Sequence, residues 1–228
     1  PVTVMGNPAL SRTQLGDGAA LRTAIGLGAD ENLLLVLPGS RQSEIKRVAP
    51  VLGEAAWIMK SEDPDLTVLM APAPSVRAQF ETAFPGLQKW ARLVEEADRT
   101  VDVMAAADYA LACSGTVTSE LAVQGTPFLV GYRTGWITWA LARYFLFKPN
   151  HITLLNIAAD DSTIAPEFIQ FDLEAIAVAR EAQSVLSDQP RRQAQIAAQN
   201  KALSRMGERD ESASKIAAKA ILDVISGR

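Results

Sequence analysis

At 228 residues the chain amounts to about one and a half average domains at roughly 150 residues each, so one full α/β unit with an extension or two small lobes. With 48% hydrophobic and 21% charged residues its composition is ordinary for a globular protein, which excludes wholesale disorder and collagen-like repeats. Lys+Arg 22 against Asp+Glu 26 leaves a net charge of −4, a poor match for nucleic acid; the single Cys113 excludes an internal disulfide and a cysteine-built zinc site, and the single His151 a multi-histidine metal site.

Pro1 to Leu10 lacks the basic start and long apolar stretch of a signal peptide. Pro1-Val2-Thr3-Val4-Met5-Gly6 reads instead as a strand caught in mid-run, as in a piece cut from a longer chain. No apolar run reaches the ~18 residues of a membrane span; the nearest, Trp136 to Phe147, is interrupted by Thr138 and Arg143.

Leu33 to Leu37 is a continuous apolar run stopped by Pro38-Gly39, the pattern of a strand buried on both faces. A helix is expected over 44–60, then a strand over 66–70 closed by Ala71-Pro72-Ala73-Pro74. A helix over 75–84, a weaker strand over 91–94 and a short helix over 100–106 follow. Next come a strand over 109–113, a helix over 117–124 capped by Gly125, and a strand over 128–132. Strand and helix alternate across short connections, which predicts a doubly wound, Rossmann-like parallel sheet of the α/β class. From Asp172 onward the pattern is helical and alanine-rich, interrupted at Pro190, with a long last stretch over 191–225.

Two strand–turn–helix junctions carry chemistry. In Leu37-Pro38-Gly39-Ser40-Arg41-Gln42-Ser43-Glu44, Gly39 lets backbone approach a ligand. Ser40 and the first N–H groups of the helix can donate to phosphate oxygens, and Arg41 adds a fork for two of them. The same residues also make an N-cap and a solvated arginine. The spacing is not that of a Walker loop, and its lysine is missing.

Cys113-Ser114-Gly115-Thr116-Val117-Thr118-Ser119-Glu120 repeats the design. Such turns lie at the carboxyl edge of a parallel sheet, where doubly wound folds bind ligands. Glu120, one turn into the helix, can accept from both hydroxyls of a ribose or simply favour the helix dipole. Two such turns in one domain favour a nucleotide phosphate site. In a third stretch, Thr153 to Ile157 followed by Pro166 to Gln170, Asn156 and Gln170 are uncharged hydrogen bonders suited to orienting a sugar, or turn and helix-end residues.

Other features are weaker. Asp63-Pro64-Asp65 matches an Asp-x-Asp metal pattern but precedes a strand on its amino side, so a surface turn is expected. His151 reads as a structural loop residue and Cys113 as an inert core thiol. Ser114 lacks the flanking glycines of a nucleophile elbow, having Ala112 and Thr116 there. Trp136, Trp139, Ala140, Arg143, Tyr144 and Phe147 recur at helical spacing beside Arg133 and Lys148; this fits a helix in a membrane interface or one packed on protein, with equal weight.

Leu37-Pro38-Gly39-Ser40-Arg41-x-x-Glu44-Ile45, Ser114-Gly115-Thr116-x-x-x-Glu120-Leu121, Pro127 to Arg133, Leu155-Asn156-Ile157 and Pro166-Glu167-x-x-Gln170 occur in one order. The set closely resembles the lipid-A-disaccharide synthases, inverting glycosyltransferases of the two-lobed GT-B type, over nearly the whole chain from Gly6-Asn7-Pro8 onward. Asn7 stands where that family usually has histidine, and Leu155 where proline is common.

The resemblance implies the carboxyl-terminal, donor-nucleotide half, without the amino-terminal lobe that binds acceptor and holds catalytic carboxylates. It divides the chain into the end of an inter-lobe hinge (1–16), a UDP-sugar-binding lobe (17–171) and a helical extension (172–228). The implied reaction moves 2,3-diacylglucosamine from its UDP derivative to 2,3-diacylglucosamine 1-phosphate, giving UDP and a β-1,6-linked disaccharide phosphate. Arg41 and Asn156 are the implied catalytic residues. Gly39, Ser40, Arg41, Ser114, Gly115, Thr116, Glu120, Asn156 and Gln170 are the implied nucleotide and donor contacts, Glu120 on the ribose and Asn156 with Gln170 on the sugar side. No metal or cofactor is implied. The implied partners are UDP and the UDP-sugar, a lipid acceptor, the missing lobe, a membrane surface on the cytoplasmic face of a Gram-negative inner membrane, and a second copy as homodimer. Two other readings stay open: a related UDP-GlcNAc enzyme of the peptidoglycan transferase or 2-epimerase type, and a non-catalytic nucleotide-binding or membrane-docking domain.

Overall fold

Leu33–Leu37 (β1), Thr67–Met70 (β2), Arg92–Leu93 (β3), Tyr109–Cys113 (β4), Phe128–Tyr132 (β5) and Glu167–Ile169 (β6) form one sheet. Every pairing is parallel and the order is β3-β2-β1-β4-β5-β6. The computed structural model describes residue 10 and residues 14–28, 30–95, 99–135, 150–207 and 213–226. The aromatic stretch that includes Trp136, Trp139, Arg143, Tyr144, Phe147 and Lys148 lies outside them.

β1 is buried throughout because it is apolar at every position. Leu34 and Val36 enter one core layer, Leu33, Leu35 and Leu37 the other. The first layer is closed by α2 (Gln42–Arg47), α3 (Ala49–Glu62), α4 (Arg77–Ala83) and α8 (Ala175–Leu186). The second is closed by α1 (Gly18–Ala24), α5 (Thr100–Ala106), α6 (Val117–Val123), α7 (Leu154–Ala158) and α9 (Gln189–Gly207). A further helix, α10, spans Ala213–Ile225. No described helix is long and apolar enough to cross a membrane.

The helix expected over 44–60 is two helices that meet at Val48. Pro50 has no N–H to give to the preceding turn, so the ladder restarts there, with Pro50 in the first turn of α3. β6 is not among the expected strands: it is three residues long and opens with the carboxylate of Glu167. Up to residue 207 the helices after Asp172 pack onto the sheet. Val178, Ala179, Ala182 and Val185 of α8 are core residues. α9 starts at Gln189, with Pro190 in its first turn, and is tied to β5 by Gln195 Nε2 donating to Phe128 O at 2.7 Å. α8 and α9 thus complete the two layers that the sheet needs to be covered on both faces.

Order β3-β2-β1-β4 places a reversal between β1 and β4, where the chain first builds outward on one side and then on the other. The loops that follow β1 and β4 diverge there and leave a crevice at the carboxyl edge.

Candidate functional site

The crevice is a cavity of about 300 Å³, a volume at the small end of ligand pockets. Gly39, Ser40 and Glu44 line it from the first junction; Ser114, Gly115, Thr116 and Glu120 line it from the second. Leu35, Leu37, Val103 and Met104 form an apolar floor, and Ala71 to Pro74, Arg77, Val94, Glu95 and Thr100 wall the end above β2 and β3. Seven of the nine expected site residues therefore stand at or beside one crevice, Arg41 on its rim and six in its lining.

The first junction is closed on itself. The Glu44 carboxylate, 6% exposed, accepts from the N–H groups of Ser40 at 2.8 Å and Arg41 at 3.1 Å, while Arg41 Nη1 donates to its other oxygen at 3.2 Å. Gly39 makes this fold-back feasible: its φ is +123°, and a Cβ there would lie 2.6 Å from Glu44 Cβ. The Ser40 and Arg41 N–H groups expected to meet phosphate are thus already taken by a carboxylate. Arg41 itself is not in the cavity lining, and its side chain is 75% exposed.

The second junction is open. Thr118 Oγ1 donates to Gly115 O at 2.8 Å, and Ser114 N to Gly131 O at 3.3 Å. No acceptor among the described residues takes the N–H of Gly115 or Thr116. A Cβ at Gly115 would meet nothing within 4 Å, so the turn faces open space. Glu120 makes no fold-back, and burial raises its carboxyl above the usual range. Cys113, buried beneath the turn, has its thiol pushed up to about 12 by the same cause, with Glu44 adding to it; it is an inert thiol at neutral pH.

Asn156 and Gln170 do not join the crevice. Asn156 is fully buried and all its polar atoms are used: Oδ1 accepts from Ile164 N and Ala165 N, both at 2.9 Å, and Nδ2 donates to Ala165 O at 2.8 Å and Glu167 Oε1 at 2.9 Å. Glu167 also accepts from the N–H groups of Ile152 and Thr153, and His151 lies 3.5 Å from it, so Asn156, Glu167 and His151 knot one loop together. Gln170, at φ 57°, gives its amide to a backbone pairing: Oε1 accepts from Thr134 N at 2.8 Å and Nε2 donates to Thr134 O at 3.4 Å. Both side chains brace loops. Asn156 has no free polar atom for the sugar-orienting role expected of it, and Gln170 has its amide engaged with Thr134 and is not in the crevice lining.

Other carboxylates stand away from the crevice, and Asp63-Pro64-Asp65 is the surface turn expected of it. Asp108, at the amino edge, accepts from Leu33 N and pairs with Arg22 and Arg192. Asp63 caps the end of α3 and accepts from Asp65 N in a surface turn. No group of three or more metal-ligating side chains occurs among the described residues.

Sequence reasoning misses Arg77, Val94, Thr100, Val103 and Met104. One signal is at hand: Ala71-Pro72-Ala73-Pro74 also follows a strand, so it lies on the same edge as the two junctions.

Solved structures with this fold include Anabaena HepE in complex with UDP-glucose (19% identical, TM-score 0.56, covering 97% of this chain and 56% of that one). Another is S. aureus MnaA with UDP (17% identical, TM-score 0.61, covering 99% and 55%). The fold is that of a GT-B lobe. Among curated relatives, the lipid-A-disaccharide synthase of Rhodospirillum centenum is 35% identical over 233 residues, covering all of this chain and 57% of that protein. That of Nitrosococcus oceani is 42% identical over 159 residues, covering 69% and 40%. The chain spans about half the length of these relatives. The family model for lipid-A-disaccharide synthetase matches residues 3–221, and the chain belongs to that family.

Proposed function

We propose that this chain is the donor-binding half of a glycosyltransferase of lipid A biosynthesis, holding the UDP end of UDP-2,3-diacylglucosamine. The observation that carries the reading is the open turn Ser114-Gly115-Thr116 beside Glu120, facing a cavity with an apolar floor at the sheet's switch point. The two unpaired N–H groups donate to the diphosphate, Glu120 accepts from the ribose hydroxyls, and the floor takes the base.

In the transfer, the acceptor 6-hydroxyl of 2,3-diacylglucosamine 1-phosphate attacks the anomeric carbon, the bond to the UDP oxygen breaks, and UDP leaves with the electron pair. The proton goes to a base on the other lobe, as the family resemblance implies: Asp63, Asp108 and Glu167 are engaged away from the crevice, and of the carboxylates in its lining Glu44 is held by its own cap, Glu120 is assigned to the ribose and Glu95 stands at the end above β3. Arg41 reaches the leaving diphosphate from the rim by swinging its exposed guanidinium from Glu44. On this reading residues 1–16 are the end of an inter-lobe hinge, 17–171 the nucleotide-binding lobe and 172–228 a helical extension whose α8 and α9 pack against the sheet. Lipid substrates place the enzyme peripherally on the cytoplasmic face of the inner membrane.

Calorimetry tests the reading: the chain binds UDP, and Arg41→Ala weakens binding by about 1.5 kcal/mol, as for one charge-assisted hydrogen bond at an exposed site, with no loss of stability. Unchanged affinity takes Arg41 out of the site. The same chain, given both lipid substrates, releases no UDP; robust disaccharide synthesis by these residues alone overturns the division of labour between lobes.

A further inference from the structure

Among the described residues, Arg77 is the one cationic side chain in the cavity lining. It sits at the first position of α4, and its guanidinium is held from two sides: Nη1 donates to Val94 O at 2.7 Å and Nε to Glu81 Oε1 at 3.0 Å. The side chain is 25% exposed, so it is fixed against the wall and not solvated like Arg41. Nη2 has no acceptor among the described residues.

Its place along the cavity follows from the sheet. The open turn follows β4, whereas Arg77 opens the helix that follows β2 and Val94 stands on the loop after β3. From β4 to β3 are three strand spacings, about 14 Å, which matches a nucleoside diphosphate laid across the carboxyl edge. With the diphosphate at Ser114 to Thr116 and the ribose at Glu120, the base comes to rest at the Arg77 end.

We infer that Arg77, with the carbonyl it holds, reads the base and selects uracil. The inference rests on the nucleotide reading above and names the residue that gives it specificity. A carbonyl oxygen has two lone pairs, so Val94 O, already accepting from Arg77, can accept once more. A guanidinium donor beside a carbonyl acceptor matches the edge of uracil, where O4 accepts and N3–H donates. Cytosine presents the reverse at the same positions, an amino donor and a bare N3, so both contacts become mismatched. A site built for one hydrogen-bond pattern rejects the other because its own polar groups are left unpaired.

The test measures dissociation constants of UDP, CDP and uridine, the last by competition against UDP, for the unsubstituted chain, Arg77→Met and Arg77→Lys. The unsubstituted chain prefers UDP over CDP by at least tenfold. Arg77→Met weakens UDP and uridine by the same factor, about tenfold, and shrinks the UDP preference; Arg77→Lys keeps the charge but not the fork and falls between. Thermal melting of both variants confirms that each is folded. If Arg77→Met weakens UDP but leaves uridine unchanged, the guanidinium serves a phosphate and the inference is overturned. An unchanged UDP-to-CDP ratio in both variants overturns it as well. Failure of the underlying reading looks different: the unsubstituted chain itself then binds no UDP.

Discussion

The turns after β1 and β4 share one design, a buried strand, a small hydroxyl-rich glycine turn and a helix, yet one is filled and the other open. The difference is one residue of register. Counting from the helix cap, Glu44 is the third helical residue after Arg41, and Glu120 the fourth after Thr116. At the third position a carboxylate reaches back to the N–H groups before the helix, the geometry of a capping box. At the fourth it points elsewhere, and Glu120 lines the crevice while the N–H groups of Gly115 and Thr116 find no acceptor among the described residues. A glycine-rich turn ahead of a helix is therefore a phosphate candidate only after the first few helical residues have been checked for a carboxylate of its own.

The loop around Asn156 is the extreme of the filled case, and there the largest effect is expected. Asn156→Ala removes four hydrogen bonds and takes from buried Ala165 both the acceptor of its N–H and a donor to its carbonyl, while Ile164 N keeps Ser162 O and Glu167 keeps the N–H groups of Ile152 and Thr153. The expected loss is about 3–4 kcal/mol of stability in urea denaturation, with UDP affinity of the folded protein unchanged within about twofold. A stable variant that no longer binds UDP would return Asn156 to the donor site.

The two glycines sharpen the comparison directly. Gly39→Ala puts a Cβ against Glu44 at a positive φ, which costs about 2–3 kcal/mol and opens the fold-back. Gly115→Ala meets nothing, so its stability stays within about 0.5 kcal/mol. Its effect appears instead in UDP affinity, because the methyl group stands where the diphosphate approaches. If the two substitutions exchange these signatures, the filled and open turns have been assigned the wrong way round.

Much of this architecture is legible in the amino-acid sequence. The bounds of β1, β4 and β5 follow from apolar runs ended by Pro38, Ser114 and Arg133, because burial on both faces leaves no other pattern. β6 is not legible: Glu167 breaks the run, and only its partners Ile152, Thr153 and Asn156 explain a carboxylate inside a sheet. The crevice follows from its two turns, while Arg77 does not, since its role depends on a carbonyl seventeen positions away in sequence, that of Val94. For Asn156 and Gln170, residue type alone misleads. An amide side chain suits a sugar and a backbone equally well, and only the hydrogen-bond partners decide between them.

The smallest expected effect is at Glu120, and its sign is opposite to that of the filled turn. Burial raises the Glu120 carboxyl above its unfolded value, so the folded state holds that proton more tightly than the unfolded chain. The stability linked to protonation is fully present below the unfolded value and is lost as pH rises through the folded one; at neutral pH the ionised carboxylate is a small burden. Glu120→Gln should therefore raise the melting temperature slightly at pH 7, with the gain vanishing as pH falls to about 4, where the native side chain is also protonated. The same substitution should reduce discrimination between UDP and its 2′-deoxy analogue, because a neutral amide accepts less strongly from the ribose hydroxyls. A melting temperature that instead falls at pH 7, with discrimination intact, would mean that Glu120 only favours the dipole of its own helix, as Glu44 caps its own. The open turn would then lose its ribose partner.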